Sequence, residues 1–239
     1  MGAPQQVLAG LGGRYITTAK DYLGAALGTY GSTGVGTALV CPSGQAGFVA
    51  ACLRGNAGSL LTVADRLRVQ FATNKPQIVC FNSAGTAIIN QSAASAAPSG
   101  AWYTFATTWR TVSGQLVFQM YVDKVTASPT GSLSAGTIDY GRASFNNRLG
   151  QNNPANSGYV GCIGPFMFDD TYYDLTAGGA LDALFDSNNK PKNWGDGSLI
   201  LGHQARFVTA NGSAAAQTGN SGPWTDNVVL NACASSPTD

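Results

Sequence analysis

The fold class is decided by the stretch Arg66-Leu67-Arg68-Val69-Gln70-Phe71, in which polar and apolar residues alternate strictly. Successive side chains of a β-strand point to opposite faces of its sheet. Leu67, Val69 and Phe71 would therefore face a core, and the residues between them would face solvent. The pattern predicts a strand with one buried and one exposed face.

The same alternation returns further along the chain, where Leu116, Phe118, Met120 and Val122 would point inward. Other short candidate strands, each bounded by Gly, Asn, Pro or Ser, cover residues 37–41, 47–53, 77–81, 86–91, 102–109, 159–168, 205–209 and 227–231. Many short strands joined by turns predict an all-β sandwich or barrel, and 239 residues is an ordinary length for one such domain.

One short helix is predicted over residues 177–185. Thr176 is its candidate N-cap, and Leu181, Leu184 and Phe185 recur at the spacing of a helical apolar face. We expect this helix to cover one end of the sandwich.

Two stretches of small residues, 92–100 and 211–222, predict long loops with nothing to bury. Neither loop is long enough to divide the chain into two domains. Residues 1–13 are a candidate docking arm, which leaves residues 14–239 as the single folded domain.

Composition argues against several classes of function. Charged residues make up 10% of the chain, hydrophobic residues make up 44%, and the formal net charge is +1. The apolar content suffices for a core, so the low charge does not indicate disorder. No Lys/Arg stripe of the kind that neutralises phosphates is present, so we expect no nucleic-acid partner. We expect no membrane partner, since no apolar stretch reaches roughly 18 residues. We expect no export signal either, since the first residues lack a basic region followed by an apolar run of signal-peptide length.

The five cysteines are an odd number, which fits poorly with a fully paired secreted framework. Four of them lie inside apolar runs such as Ile78-Val79-Cys80-Phe81, where a free thiol behaves as a small hydrophobe. We expect reduced thiols, with a disulfide or a metal role as the alternative.

The sequence contains few candidate catalytic residues. All 12 acidic residues are aspartates, and no Asp-x-Asp falls in a predicted strand, whereas glycosidases need two carboxylates that flank the scissile bond. The single histidine, His203, has no Gly-x-Ser-x-Gly nucleophile motif beside it. We therefore expect no enzymatic activity and no cofactor.

Three motifs occur in a fixed order in the middle and later part of the chain. They are Trp102-Tyr103-Thr104-Phe105-Ala106-Thr107-Thr108, then the Tyr121-Val122-Asp123 end of the next strand, then Gly161-Cys162-Ile163-Gly164 before an aromatic run and Asp169. This order resembles the concanavalin A-like, or laminin-G-like, jelly-roll superfamily. The resemblance implies a jelly-roll β-sandwich of two antiparallel sheets with one short helix.

Further motifs follow at residues 172–175, 184–186 and 190–197. They are similar to a subgroup of these domains found in tailed-phage structural proteins. The superfamily resemblance also implies that Trp102 and Phe166 pack between the sheets, and that Gly161 and Gly164 allow close backbone approach or a bulge.

Laminin-G-like domains often bind calcium at a sandwich edge, which makes the nearby aspartates Asp169, Asp170 and Asp174 candidate ligands. The expected oxygen-rich loop is not recognisable around them. A solvated turn or a cap of the predicted helix is the alternative, and we expect no metal.

A sugar site would need aromatic platforms surrounded by amide and carboxylate groups. The candidate ligand-binding residues lie in an amide-rich loop and on one tryptophan: Asn146, Asn147, Arg148, Asn152, Asn153 and Trp109. Asparagine-rich segments also form tight reversals, because Asn tolerates positive φ, so a plain turn remains the alternative.

Two functions follow from these observations. The first is a non-catalytic structural protein of a tailed-phage virion, made in the host cytoplasm, with other virion proteins and copies of itself as partners. A head decoration protein and a tail or appendage component both fit this function. The second is a carbohydrate-binding adhesion module with a glycan as its ligand.

Overall fold

The computed structural model describes residues 44–63, 66–140, 148–149, 160–205 and 207–208. The strands in that part of the chain are β1 (Ala46–Val63), β2 (Leu67–Ala72), β3 (Lys75–Phe81), β4 (Ala87–Ser92), β5 (Trp102–Val112), β6 (Gln115–Val122), β7 (Val125–Thr126), β8 (Thr130–Leu133), β9 (Arg148–Leu149), β10 (Val160–Asp169) and β11 (Phe207–Val208). Two short helices, α1 (Ala180–Leu184) and α2 (Ser198–Leu201), accompany them. None of the helices described here has the length and apolar character that a membrane crossing requires.

Strand β1 organises the fold because it belongs to two sheets. Its first half pairs with β5 and β10, and its second half pairs with β2 and β9. Between the halves, Gly55 and Gly58 adopt positive φ values of 114° and 84°, which glycine tolerates without a steric penalty. The sequence prediction ended this strand at residue 53, because the glycines interrupt the alternation there.

Sheet I has the strand order β7-β6-β5-β1-β10-β11, and sheet II has the order β9-β1-β2-β3-β4-β8. Every pairing between these strands is antiparallel. The predicted fold class, an all-β jelly-roll sandwich of two antiparallel sheets, is confirmed. The sequence predicted one helix, whereas the described residues contain two, α1 and α2.

The core lies between the inner faces of the two sheets, and it confirms the predicted strand faces. Leu67, Val69 and Met120 are buried, and Phe71 and Phe118 pack against the same cluster. Phe166 also lies in this core as predicted, whereas Trp102 is half-buried and lies outside the cluster. Tyr103 and Phe105 fill the inner face of β5 instead.

The predicted irregularity at Gly164 is also confirmed. The β1–β10 register shifts between the pairs Ala51–Phe166 and Leu53–Ile163, so two residues of β10 stand opposite one residue of β1. This is the geometry of a β-bulge.

A second layer covers the outer face of sheet I. It is formed by residues 170–205, which we call the covering segment, and it buries Leu175, Leu184, Phe185 and Trp194 against that face. Strand β5 is consequently buried on both faces over most of its length. The helical elements therefore cover a sheet face, and the prediction that they cover an end of the sandwich is wrong.

The predicted helix is shorter than its sequence pattern, and Thr176 is not its N-cap. Helix α1 spans Ala180–Leu184 and begins after Gly179, whose φ is 83° and which makes no side-chain cap. Thr176 instead donates its hydroxyl hydrogen to Asp174 Oδ1 at 2.7 Å. The two adjacent glycines, Gly178 and Gly179, delay the start of the helix because glycine is a poor helix former.

The loop that follows β4 is partly buried, so the prediction that it has nothing to bury is wrong. Ala93 and Ala97 belong to the main core cluster. Asn56 Nδ2 donates a hydrogen bond to the Ala97 carbonyl oxygen at 2.7 Å and ties the loop to β1. The predicted strands 37–41 and 227–231, the loop 211–222 and the arm 1–13 lie outside the described residues.

Candidate functional site

The outer faces of the two sheets differ. The covering segment lies over the outer face of sheet I, whereas no described element lies over the outer face of sheet II. On β2, β3 and β4 that second face carries polar side chains, because the positions that alternate with the buried ones are Gln70, Gln77 and Asn90. Gln70 and Gln77 are half-buried and Asn90 is exposed, so this part of the face is accessible to a ligand.

Three amide side chains run across this surface, and we call them the amide row: Gln70, Gln77 and Asn90. Gln70 and Gln77 are cross-strand partners, and Gln70 Nε2 donates to Gln77 Oε1 at 2.6 Å. Gln77 Nε2 donates in turn to Asn90 Oδ1 at 2.9 Å. The chain of hydrogen bonds fixes the orientation of all three amides, so their remaining donors and acceptors are presented in a defined pattern.

An aromatic and cationic pair lies beside the amide row. Arg68 is the next outward-facing residue of β2 before Gln70, and its guanidinium carbon lies 5.1 Å from the centroid of the Phe81 ring. A planar guanidinium over a ring is a cation–π contact. Further along β3, Lys75 is half-buried near the other end of the surface.

The predicted ligand-binding loop cannot be placed against this surface in full. Asn146, Asn147, Asn152 and Asn153 lie outside the described residues. Arg148 belongs to β9, where it pairs with Thr62 of β1, and Thr62 pairs in turn with Arg68 of β2. The register thus puts Arg148 in the same cross-strand row of sheet II as Arg68.

The prediction that Trp109 forms a sugar platform is wrong. Its side chain is 0% exposed and packs in the core between the sheets. Its Nε1–H donates to the Tyr140 hydroxyl at 3.0 Å, and that hydroxyl donates to the Ala46 carbonyl oxygen at 3.0 Å. Trp194 is also buried and donates its Nε1–H to the Leu184 carbonyl oxygen.

A second polar cluster lies where the covering segment crosses β5 and β6. Gln119 Nε2 donates to the Tyr172 hydroxyl at 2.8 Å and to Asp174 Oδ1 at 3.0 Å, and Gln119 Oε1 accepts from the Leu175 N–H at 2.8 Å. The Arg110 guanidinium lies 4.0 Å from the centroid of the Tyr172 ring. Both polar atoms of the Gln119 side chain form hydrogen bonds with the covering segment, so this cluster anchors that segment to the sheet.

The ionisation of this cluster follows from its hydrogen bonds. The Thr176 hydroxyl, the Gln119 amide and the Thr176 N–H all donate to Asp174, and together they lower the pKa of its carboxyl to about 2. Desolvation and the neighbouring Asp174 charge raise the pKa of the Tyr172 hydroxyl. Tyr172 therefore stays neutral and serves as a hydrogen-bonding group.

The aspartates considered as calcium ligands have protein partners instead. Asp169 is 0% exposed, and its Oδ1 accepts from the Thr171 N–H at 2.9 Å and from the Thr171 hydroxyl at 2.5 Å. His203 Nε2 lies 3.1 Å from the same oxygen. Within the described ranges, no group of three or more His, Cys or Asp side chains is arranged to hold a metal ion.

Two of the five cysteines can be placed with their side chains. Cys52 and Cys80 are free and buried, and burial raises the pKa of each thiol well above its ordinary value. Both therefore remain protonated and act as apolar core residues.

No protein-family model matches the chain, and no curated protein matches it. Among solved structures, it is similar to the native heptameric SAP-like pentraxin from Limulus polyphemus, with a TM-score of 0.47 and 11% identity over 82% of this chain and 88% of that one. A candidate carbohydrate-binding protein from Bacteroides ovatus gives a TM-score of 0.44 and 11% identity over 67% of this chain and 42% of that one. Domains LG4-5 of the mouse laminin alpha1 chain give a TM-score of 0.40 and 14% identity over 69% of this chain and 41% of that one.

The chain thus spans less than half the length of the last two structures. All three TM-scores lie below 0.5, and likenesses at this level add no argument about a ligand. The two-sheet sandwich of this chain follows from its own strand pairing.

Proposed function

We propose that this chain is a non-catalytic β-sandwich module that binds a neutral carbohydrate on the outer face of sheet II. The observation that supports the proposal is the amide row, in which Gln70, Gln77 and Asn90 hold one another in place across three strands. Each amide offers both a donor and an acceptor, as each sugar hydroxyl does.

The amide row is uncharged, which favours a neutral ligand at the row itself, while Arg68 and Lys75 lie on the same face. Arg68 lies beside the row, but its guanidinium stacks on Phe81. Hydrogen bonding and ring contact, rather than ion pairing, would therefore provide the affinity.

A glycan array with the purified chain tests this function, followed by titration calorimetry on any glycan that binds. We expect Gln77→Ala to weaken binding roughly tenfold or more, since Gln77 is the central member of the row and its loss also frees its two neighbours. Gln115→Ala removes an exposed glutamine from sheet I and should leave binding unchanged. Silence across a broad array, or an equal loss in both variants, would refute the site.

The absence of catalysis is part of the proposal. Asp169 and His203 form the described carboxylate–imidazole pair, but the carboxylate is fully buried and already accepts two hydrogen bonds from Thr171. Incubation with each bound glycan should release no product, and turnover that persists through repurification would contradict this part.

The structural virion role predicted from the sequence is a second candidate function. It is favoured by an exposed sheet edge at β8, which suits assembly from repeated copies. Mass spectrometry of purified phage particles tests it directly. The chain should be present in stoichiometric amounts, and its absence from the particles would exclude the role.

A further inference from the structure

Strand β8 forms one edge of sheet II and, apart from its short length, lacks the usual protection of such edges. It pairs with β4 on one side, and no described strand pairs with it on the other. All four of its residues are exposed, and Thr130, Gly131, Ser132 and Leu133 include no charge and no proline. Natural edge strands commonly carry lysine, proline or a bulge to prevent pairing with another chain.

The hydrogen-bonding pattern shows which backbone groups of β8 point away from β4. The Ser134 N–H donates to the Ile88 carbonyl oxygen at 2.7 Å, which makes this a hydrogen-bonded pair. Such pairs alternate along an antiparallel ladder, so the N–H and C=O groups of Ser132 also face β4. The N–H and C=O groups of Gly131 and Leu133 therefore face outward.

The edge is complementary to itself. Two copies of β8 that pair antiparallel about an axis at Ser132 would set Leu133 of each copy opposite Gly131 of the other. Leu133 is 43% exposed, and Gly131 has no side chain to oppose it. Gly131 is required there, because its φ is 143° and a Cβ atom would lie 2.0 Å from the Asn90 carbonyl oxygen.

We propose that β8 is a self-association edge, and that two copies of this chain pair there to form one continuous antiparallel sheet. Gly131 and Leu133 of each copy would exchange backbone hydrogen bonds with their counterparts, and each exposed leucine would cover the glycine opposite. The inference does not depend on the carbohydrate site. The ladder is short, so we expect a dimer with a dissociation constant in roughly the high micromolar range.

Cysteine cross-linking tests the register. On the proposed axis, the two Ser132 residues form a non-hydrogen-bonded pair with Cα atoms about 4.5 Å apart, within reach of a disulfide. Ser132→Cys should therefore give a disulfide dimer in oxidising buffer, well above the background of the parent chain with its native cysteines.

Thr130→Cys is the matched control for that variant. It lies on the same strand and the same face, but the two Thr130 residues would be offset by about 14 Å along the paired strands. It should cross-link no more than the parent chain does. Equal cross-linking of both variants, or none in either, would overturn the proposal.

Sedimentation across a concentration series provides the second measurement. The parent chain should show a monomer–dimer equilibrium, and Leu133→Lys should weaken it roughly tenfold or more, because an edge lysine opposes strand pairing. Leu199→Lys changes the 91% exposed leucine of α2, far from β8 in the fold, and should leave the equilibrium within about twofold. A parent chain that stays monomeric up to millimolar concentration would overturn the proposal.

Discussion

At the residue scale, Gly47 shows how tightly the inner face of sheet I is packed. A Cβ atom at this position would lie 2.3 Å from Trp109 Cζ2 and 3.0 Å from the Tyr140 hydroxyl oxygen. The backbone of β1 therefore approaches the Trp109 ring more closely than any side chain would permit. The same contact keeps Trp109 in the core, where its Nε1–H reaches Tyr140.

We predict that Gly47→Ala lowers the free energy of unfolding by about 1–3 kcal/mol, because the added methyl group must displace a buried ring. Gly100→Ala is the control, since a Cβ atom there would have no heavy atom within 4 Å. It should change stability by less than about 0.5 kcal/mol. Urea unfolding of both variants measures the difference, and equal stability would contradict the packing described.

The ionisation of Asp174 leads to a prediction about how the stability of the fold depends on pH. Its pKa is lowered from 3.8 to about 2 by hydrogen bonds from Thr176 and Gln119. A carboxyl group whose pKa is lower in the folded than in the unfolded protein stabilises the fold at pH values above its unfolded-state pKa. This stabilisation is lost as the pH falls through its folded-state pKa. The stabilisation should therefore disappear between about pH 4 and pH 2.

Asp174→Asn should remove this part of the acid dependence, because an amide keeps an acceptor oxygen but carries no charge. We expect a loss of about 0.5–1 kcal/mol at pH 6, since solvent screens this exposed carboxylate, and almost none at pH 2. Melting temperatures of parent and variant across this range test it. A constant difference between the two proteins would show that the carboxylate charge is not involved.

At the scale of elements, the covering segment depends on Gln119 of β6. One side chain contacts three residues of that segment, Tyr172, Asp174 and Leu175. The segment contains little regular structure of its own, because α1 has five residues and α2 has four. Side-chain anchors and the burial of Trp194 and Phe185 therefore replace backbone ladders as its attachment to sheet I.

We predict that Gln119→Ala destabilises the chain by about 1–3 kcal/mol and speeds hydrogen exchange of the Leu175 amide in particular, because that N–H loses its acceptor. Hydrogen exchange of the amides in β2 and β3 should accelerate only as much as the loss of global stability requires. Gln115→Ala, an exposed glutamine at the start of the same strand, is the control. Uniform acceleration across all elements would indicate a global effect without a specific anchor.

The elements also show where sequence reasoning succeeds. Strict alternation placed Leu67 and Val69 inside and Gln70 outside, because β2 has one buried and one open face. On β5 both faces are buried, so alternation carries no information about Trp109, and a tryptophan predicted at the surface lies in the core. The helices of the covering segment are too short for a helical period to define their ends.

At the scale of the whole molecule, the two sides of the sandwich have different roles. In sheet I the central strand β5 and the first half of β1 are buried on both faces, whereas sheet II keeps partly exposed polar side chains on its outer face and an edge at β8 with no described partner strand. The position of the amide row was predictable as solvent-facing residues of three strands. The hydrogen bonds of the row were not predictable, because they arise only when register places Gln70 opposite Gln77 and Asn90 diagonally across from Gln77.

Low charge predicts that stability depends little on salt. Charged residues make up 10% of the chain, and the described ion pairs include Arg66–Asp139, at 3.8 Å, and Lys124–Asp182. An exposed pair such as Lys124–Asp182 contributes about 0–1 kcal/mol, most of which salt at 0.5 M screens, and Arg66–Asp139 is a single, largely buried pair that salt screens less. The melting temperature should therefore shift by less than about 3 °C between 10 mM and 500 mM sodium chloride. A fall of more than about 6 °C would mean that ion pairing, rather than apolar burial and backbone hydrogen bonding, holds the sandwich together.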